Sequence, residues 1–288
     1  MEKDILFDLT SNLEALGSLS KFANVSQSEI VSFLNSCDRY NIDYRENYYK
    51  FIEKFNIKLD NLRLDNLEIK SIHVTTGNDD GEYILNNGLL NLKEVVKRDT
   101  PMNRFLIERG IEIDVENKIL RYNKKELIIS EDNCRKSNGE KNYVHHKLYR
   151  DYLINGFHYN NKPLKYGGMV AYRPEFIYSL GDLIRYRDLE KTWENTFNQC
   201  YIVEYKCKPC NIEWNSYVKD IMEDDDGIEP SLEKIIKRWL INNSLYVIFN
   251  YILGSDGVEI YSFLKPNYNV PSSDIIKIIN VTSKRNNS

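Results

Sequence analysis

The sequence predicts an α+β fold, with a split core of mixed and antiparallel strands preceded by a helical leader. Three observations carry this. Apolar residues in the first 60 positions recur at helical spacing. From Leu67 the pattern switches to a period of two, with Leu67, Ile69, Ser71, His73 and Thr75 on one face and Glu68, Lys70, Ile72 and Val74 on the other. Two further runs rich in β-branched and aromatic residues, Val258–Leu264 and Ile275–Val281, close the chain as strands. The change of character near residue 65 divides the chain into a helical N-terminal region, 1–65, and a mixed body, 66–288.

Each element has a local cause. Ser26 and Glu29 stand at capping-box spacing ahead of Ile30, Phe33 and Leu34. Tyr44 to Phe55 continues the helical pattern. Asp80 to Asn87 predicts a short helix that Gly88 ends as a left-handed cap. Thr100-Pro101 starts another, ended by Gly110. Ile111 to Ile129 predicts strands with a turn near Asn117 or Asn123. Ser130 to Lys141 is polar and predicts a loop. Tyr143 to Leu153 predicts a helix with Gly156 beyond its end. Pro174–Ile184 and Leu189–Phe197 predict short helices, Tyr201–Lys206 a strand, and Ser231–Phe249 the longest amphipathic helix.

Composition bounds the function. The chain has 288 residues, with 39 Lys/Arg against 43 Asp/Glu, a formal charge of −4. A generic duplex-coating protein needs cation excess at the phosphates and is excluded. The charge is uneven, however. Lys93 to Lys165 holds 16 Lys/Arg against 11 Asp/Glu, so the middle is basic and the remainder acidic. Within that middle, His145, His146, Lys147, Tyr149, Arg150 and Tyr152, with Lys141, mix cations and stacking rings. That mixture reads either as a solvated helix face or as a surface for single-stranded nucleic acid. No run reaches the roughly 18 apolar residues of a membrane helix, and Met1-Glu2-Lys3-Asp4 lacks a signal-peptide pattern. The expectation is a cytoplasmic protein without membrane partners.

Five cysteines are an odd number and a poor disulfide framework. Cys207-Lys208-Pro209-Cys210 has the spacing of half a zinc site, with Cys200, Cys134 and His158 as distant candidates. Structural zinc takes four ligands, so free thiols and no metal are expected. Asp224-Asp225-Asp226-Gly227 with Glu233 imitates a calcium loop. Aligned on Gly227, its first position is Met222, which cannot ligate calcium, so an acidic loop is expected.

The segment richest in chemistry is Ile72-His73-Val74-Thr75-Thr76, followed by Ile84-Leu85-Asn86-Asn87-Gly88-Leu89. On a strand, His73 and Thr75 present a ring nitrogen and a hydroxyl to the same side, as suits sugar hydroxyls. This opening resembles the mono- and poly-ADP-ribosyltransferase superfamily, in its His-Tyr-Glu branch of bacterial toxin and defence type. There a His-x-Thr strand precedes a short helix ending in Gly-Leu. Tyr166-Gly167-Gly168-Met169-Val170-Ala171-Tyr172 resembles the family's glycine-rich aromatic element, and Val258-Glu259-Ile260-Tyr261 its glutamate strand.

The resemblance implies a sheet core around an NAD cleft, with NAD as substrate. His73 and Thr75 would bind the adenosine-side ribose beside the Gly88 turn. Tyr172 would stack on nicotinamide, with Tyr178 in reserve. Glu259 would bond the nicotinamide-ribose 2′-hydroxyl, completing a catalytic set of Glu259, His73 and Tyr172. Positive charge grows on that ribose as the glycosidic bond breaks. A carboxylate about 4 Å away contributes ~1 kcal/mol in water but ~4 kcal/mol at an effective dielectric near 20, so such a site must exclude water. The expected activity is NAD-dependent ADP-ribosyl transfer to a nucleic acid, preferably single-stranded, or to a protein, in a toxin or phage-defence effector. The helical leader would then cover the cleft or bind an antitoxin or other regulatory protein. Two other readings stay open: a catalytically inactive nucleotide-binding interaction module, and an RNA-binding or nuclease component.

Overall fold

The computed structural model describes residues 5–38, 44–131, 139–215, 231–255 and 257–285. Cys134 and the acidic run Asp224–Gly227 lie outside the described residues, as does most of the stretch expected to loop after Ser130. The class is α+β, with antiparallel pairs and a parallel pair among the strands. The division near residue 65 does not coincide with the structural one, because the chain folds into two units of interleaved segments. The first is Met1–His73, Asn155–Lys162 and Glu204–Leu264; the second is Val74–Ile154, Pro163–Val203 and Lys265–Ser288.

In the first unit the leader is built into a sheet and a helical layer. Strand β1 (Ile5–Phe7) pairs in parallel with the start of β2 (Leu67–Gly77), Ile5 facing Leu67. Three residues are too few to show a period in sequence. Helix α1 (Asn12–Ala23) is capped by Ser11, whose hydroxyl accepts from the Glu14 N–H, and ends on Asn24 in the left-handed region at φ 53°. Helix α2 (Gln27–Asn35) carries the expected capping box. Helix α3 (Tyr44–Lys54) adds Phe51, which meets Phe33 edge-on with centroids 5.3 Å apart.

All three helices pack on α10 (Leu232–Leu253). That helix buries consecutive positions Trp239, Leu240 and Ile241, as well as Leu245 and Val247–Phe249, so it is a core helix rather than a one-sided amphipathic one. Its buried Lys237 is answered one turn earlier by Glu233.

The sheet of this unit runs β8 (Glu259–Phe263), β6 (Asn155–Asn160), β2, then the end of β7 (Gln199–Cys207). The helix expected to run to Leu153 ends at Tyr149, and Gly156 beyond it sits in β6. A Cβ there would fall 2.2 Å from the Ile72 carbonyl oxygen, so glycine permits the close approach of β2 and β6. Beneath, Lys70 is held by Asp8 (3.0 Å) and Glu204 (2.8 Å).

The second unit contains the far ends of β2 and β7, with β9 (Ile275–Asn280) beside β7. Its short helices are α4 (Glu82–Asn87), α5 (Leu92–Lys97) and α6 (Pro101–Ile107), the last started by Thr100-Pro101 as expected. A meander of β3 (Ile111–Asp114), β4 (Ile119–Tyr122) and β5 (Lys125–Ile128) turns at both expected places. Helices α7 (Glu140–Tyr149), α8 (Glu175–Ile184) and α9 (Leu189–Thr196) follow, and α11 (Thr282–Arg285) comes last among the described residues. Their core includes Phe105, Leu148, Ile177, Trp193 and Phe197, with Phe105 and Trp193 centroids 4.9 Å apart.

Gly88 has φ 78° and ψ −166°, which is outside the left-handed helical cap expected of it. A Cβ there would lie 1.9 Å from the Val270 carbonyl oxygen. Leu89 and Val270 exchange backbone hydrogen bonds of 2.9 Å, so the glycine permits a backbone bridge as well as ending the helix.

Candidate functional site

His73 is fixed by its first-unit neighbours. Its Nδ1 lies 2.7 Å from the Asn155 carbonyl oxygen. Burial holds the imidazole below its ordinary pKa, so the ring is neutral near pH 7. A carbonyl only accepts, so Nδ1 carries the proton and donates. Nε2 keeps its lone pair and bonds no described residue. The ring is half-buried. A fixed acceptor at a partly open position suits a hydroxyl donor.

The structure does not bring Glu259 to that histidine. Alternation along β2 puts His73 on the face of Ser71, which bonds Ser262 (3.0 Å) and His158 (3.1 Å). Glu259 belongs to the opposite face, with Tyr261, whose hydroxyl donates to Oε2 at 2.6 Å, and Phe157, whose ring meets that of Tyr261. Ile72 pairs with Phe157 and Glu259 with Asn160. Glu259 is thus displaced from His73 by roughly 10 Å along the strands and two strand spacings, about 10 Å, across them. A bulge between Phe157 and Tyr159 shifts the register and turns Asn160 onto the Glu259 face, where its amide donates to Oε1 at 3.1 Å. Both carboxylate oxygens are therefore held locally. The catalytic grouping of Glu259 with His73 does not form.

The remaining expected residues lie in the second unit. Thr75 is half-buried, while the neighbouring Thr76 hydroxyl accepts from Trp193 Nε1 at 3.0 Å. Tyr172 donates its hydroxyl to the Arg285 carbonyl (3.3 Å), and the Arg285 guanidinium lies 4.7 Å from its ring centroid. Tyr178 is half-exposed with Arg173 at 4.8 Å from its centroid. Each tyrosine thus has one face against an arginine, which competes with nicotinamide for stacking there. Cys207 is buried with Sγ towards the Ile69 carbonyl, while Cys210 is exposed. The two thiols are not presented alike.

The basic middle gathers around a cavity of about 500 Å³ in the second unit, lined by parts of α5, the β3–β4 turn and the end of α7. Its membership differs from the expected helix face. Lys147 turns away to pair with Asp151 (2.5 Å) and Glu175. Lys93 and Lys118, which helical spacing around His145 could not have found, enter instead. Uneven local charge was the only sequence signal for them.

Compared with known proteins, the chain matches no family model, no curated protein and no solved structure.

Proposed function

We propose that the chain is an NAD-binding protein of ADP-ribosyltransferase-like design, in which His73 reads a ribose hydroxyl and Glu259 takes no part in chemistry. The observation that carries this is the state of His73: neutral, anchored through Nδ1 by Asn155, and offering Nε2 as an acceptor. Placing Glu259 on the other sheet face favours binding without Glu259-dependent transfer. The proposed macromolecular partner is a nucleic acid, on the strength of the basic middle.

A second reading is NAD-dependent ADP-ribosyl transfer, as in a toxin or defence effector. It is favoured by the fixing of the Gly88-Leu89 turn on which the resemblance rests, since a backbone bridge to Val270 holds the segment after His73 in place. Labelled NAD separates the two. The first reading predicts retention of NAD by the full chain, with Glu259→Ala unchanged in binding and no label passed to nucleic acid or protein. Label transfer abolished by Glu259→Ala would refute it and establish the second. Absence of NAD binding would end both.

A further inference from the structure

The cavity lined by the basic middle contains two lysines that no carboxylate holds in an ion pair among the described residues. Its three acidic residues are all engaged: Glu94 with Arg98 (2.5 Å), Glu116 with Lys97 (2.8 Å) and Glu131 with Arg150 (2.5 Å). Lys93 and Lys118 remain, without an ion pair among the described residues. Lys93 Nζ sits 3.7 Å from the Tyr152 ring centroid and 5.5 Å from that of Tyr149; Lys118 Nζ sits 5.3 Å from the Tyr149 centroid. An aromatic face orients an ammonium through its quadrupole but supplies no charge, so both keep their full positive charge for an incoming anion. The Tyr149 hydroxyl donates to the Val115 carbonyl at 3.0 Å, which fixes the ring that positions them.

His145 adds a neutral polar group. It lines the same cavity, is 5% exposed, and makes no hydrogen bond to any described residue. Burial holds its pKa below the ordinary value, so near pH 7 it offers one N–H donor and one lone pair. With no hydrogen-bond partner among the described residues, its ring nitrogens are free to bond a group that enters the cavity. Two oriented ammoniums and one neutral donor–acceptor match a phosphate joined to a polar ring system. The volume suits one nucleotide, not the width of a duplex.

We propose that this cavity binds single-stranded nucleic acid, with Lys93 and Lys118 on backbone phosphate and His145 meeting the edge of one nucleotide. Stacking on Tyr149 is not needed, because its ring already serves the two lysines. This rests on the proposed function and gives its nucleic-acid partner a strandedness and a site. Its test leaves His73 untouched, so failure here is distinguishable from failure to bind NAD.

The test is fluorescence anisotropy of labelled single strands of about 12 nucleotides, DNA and RNA, against the full chain over a range of salt. Binding is expected, with Lys93→Gln/Lys118→Gln at least tenfold weaker. The slope of log affinity against log salt should fall by about 1.4, since single strands lose roughly 0.7 per phosphate contact. His145→Ala should weaken binding and leave the salt slope unchanged. The control Lys208→Gln/Lys284→Gln removes the same charge from exposed positions elsewhere and should bind as the unmodified chain. Four outcomes would overturn the proposal: no binding at low salt, equal loss in the control, duplex bound as tightly as single strand, or a free nucleoside monophosphate bound as tightly as the strand.

Discussion

Lowering the pH should destabilise the first unit through a single buried histidine. His158 is fully buried on the Ser71 face of the sheet. Its Nδ1 lies 3.2 Å from the Lys70 carbonyl and 3.1 Å from the Ser71 hydroxyl, its ring packs edge-on to Trp239 with centroids 4.8 Å apart, and its Nε2 is buried without a partner. A second proton would have to go on Nε2, where nothing accepts from it, and burial pushes the pKa down to about 4.

The folded value lies below the unfolded one, so between about pH 6.5 and 4 the unfolded chain binds the extra proton. Stability is then full above pH 6.5 and falls as the pH drops through that window. The full shift corresponds to about 3 kcal/mol, of which about 2 kcal/mol is lost between pH 7 and pH 5. Urea denaturation of the unmodified chain and of His158→Asn at several pH values isolates the effect. The variant is less stable at pH 7, having lost the ring contact with Trp239, but should lack this part of the pH dependence. Parallel stability curves for the two proteins between pH 7 and pH 5 would refute the reasoning.

Three other perturbations follow from the packing. Gly88→Ala should cost roughly 2–4 kcal/mol in urea denaturation, because the new Cβ meets the Val270 carbonyl at a positive φ; a loss under about 0.5 kcal/mol would show that the Leu89–Val270 bridge is absent. Lys70→Gln should destabilise by about 3–5 kcal/mol by leaving Asp8 and Glu204 without their shared cation, and a further Glu204→Gln should restore part of that loss. Arg285→Ala should uncover one face of Tyr172 and change the chain's tyrosine fluorescence without unfolding it; an unaltered spectrum would contradict that contact.

What was legible in the sequence was local. Ser26 with Glu29, Thr100 with Pro101, and the alternation through His73 are each decided by neighbours within a few residues, and each appears where its pattern placed it. What was not legible depends on partners far along the chain. Gly156 reads as a helix stop, yet its role is set by the Ile72 carbonyl across a sheet. Glu259 stands at the start of a strand as the resemblance implies, but a bulge at His158 and the pairing with Asn160 decide its face, and neither leaves a mark in residues 258–264. The unbalanced charge of Lys93 and Lys118 emerges only once Lys97, Arg98 and Arg150 have taken the cavity's carboxylates.

The claim that His73 reads a ribose hydroxyl is tested most directly by a double-mutant cycle read by calorimetric titration. NAD and an analogue lacking the adenosine-side ribose 2′-hydroxyl are titrated into the unmodified chain and into His73→Ala. One neutral hydrogen bond is worth about 1 kcal/mol, about a fivefold change in Kd. Either change alone should weaken binding by about that factor, and making both should add nothing further. Equal affinity of the unmodified chain for NAD and the analogue, or losses that add in full, would contradict it.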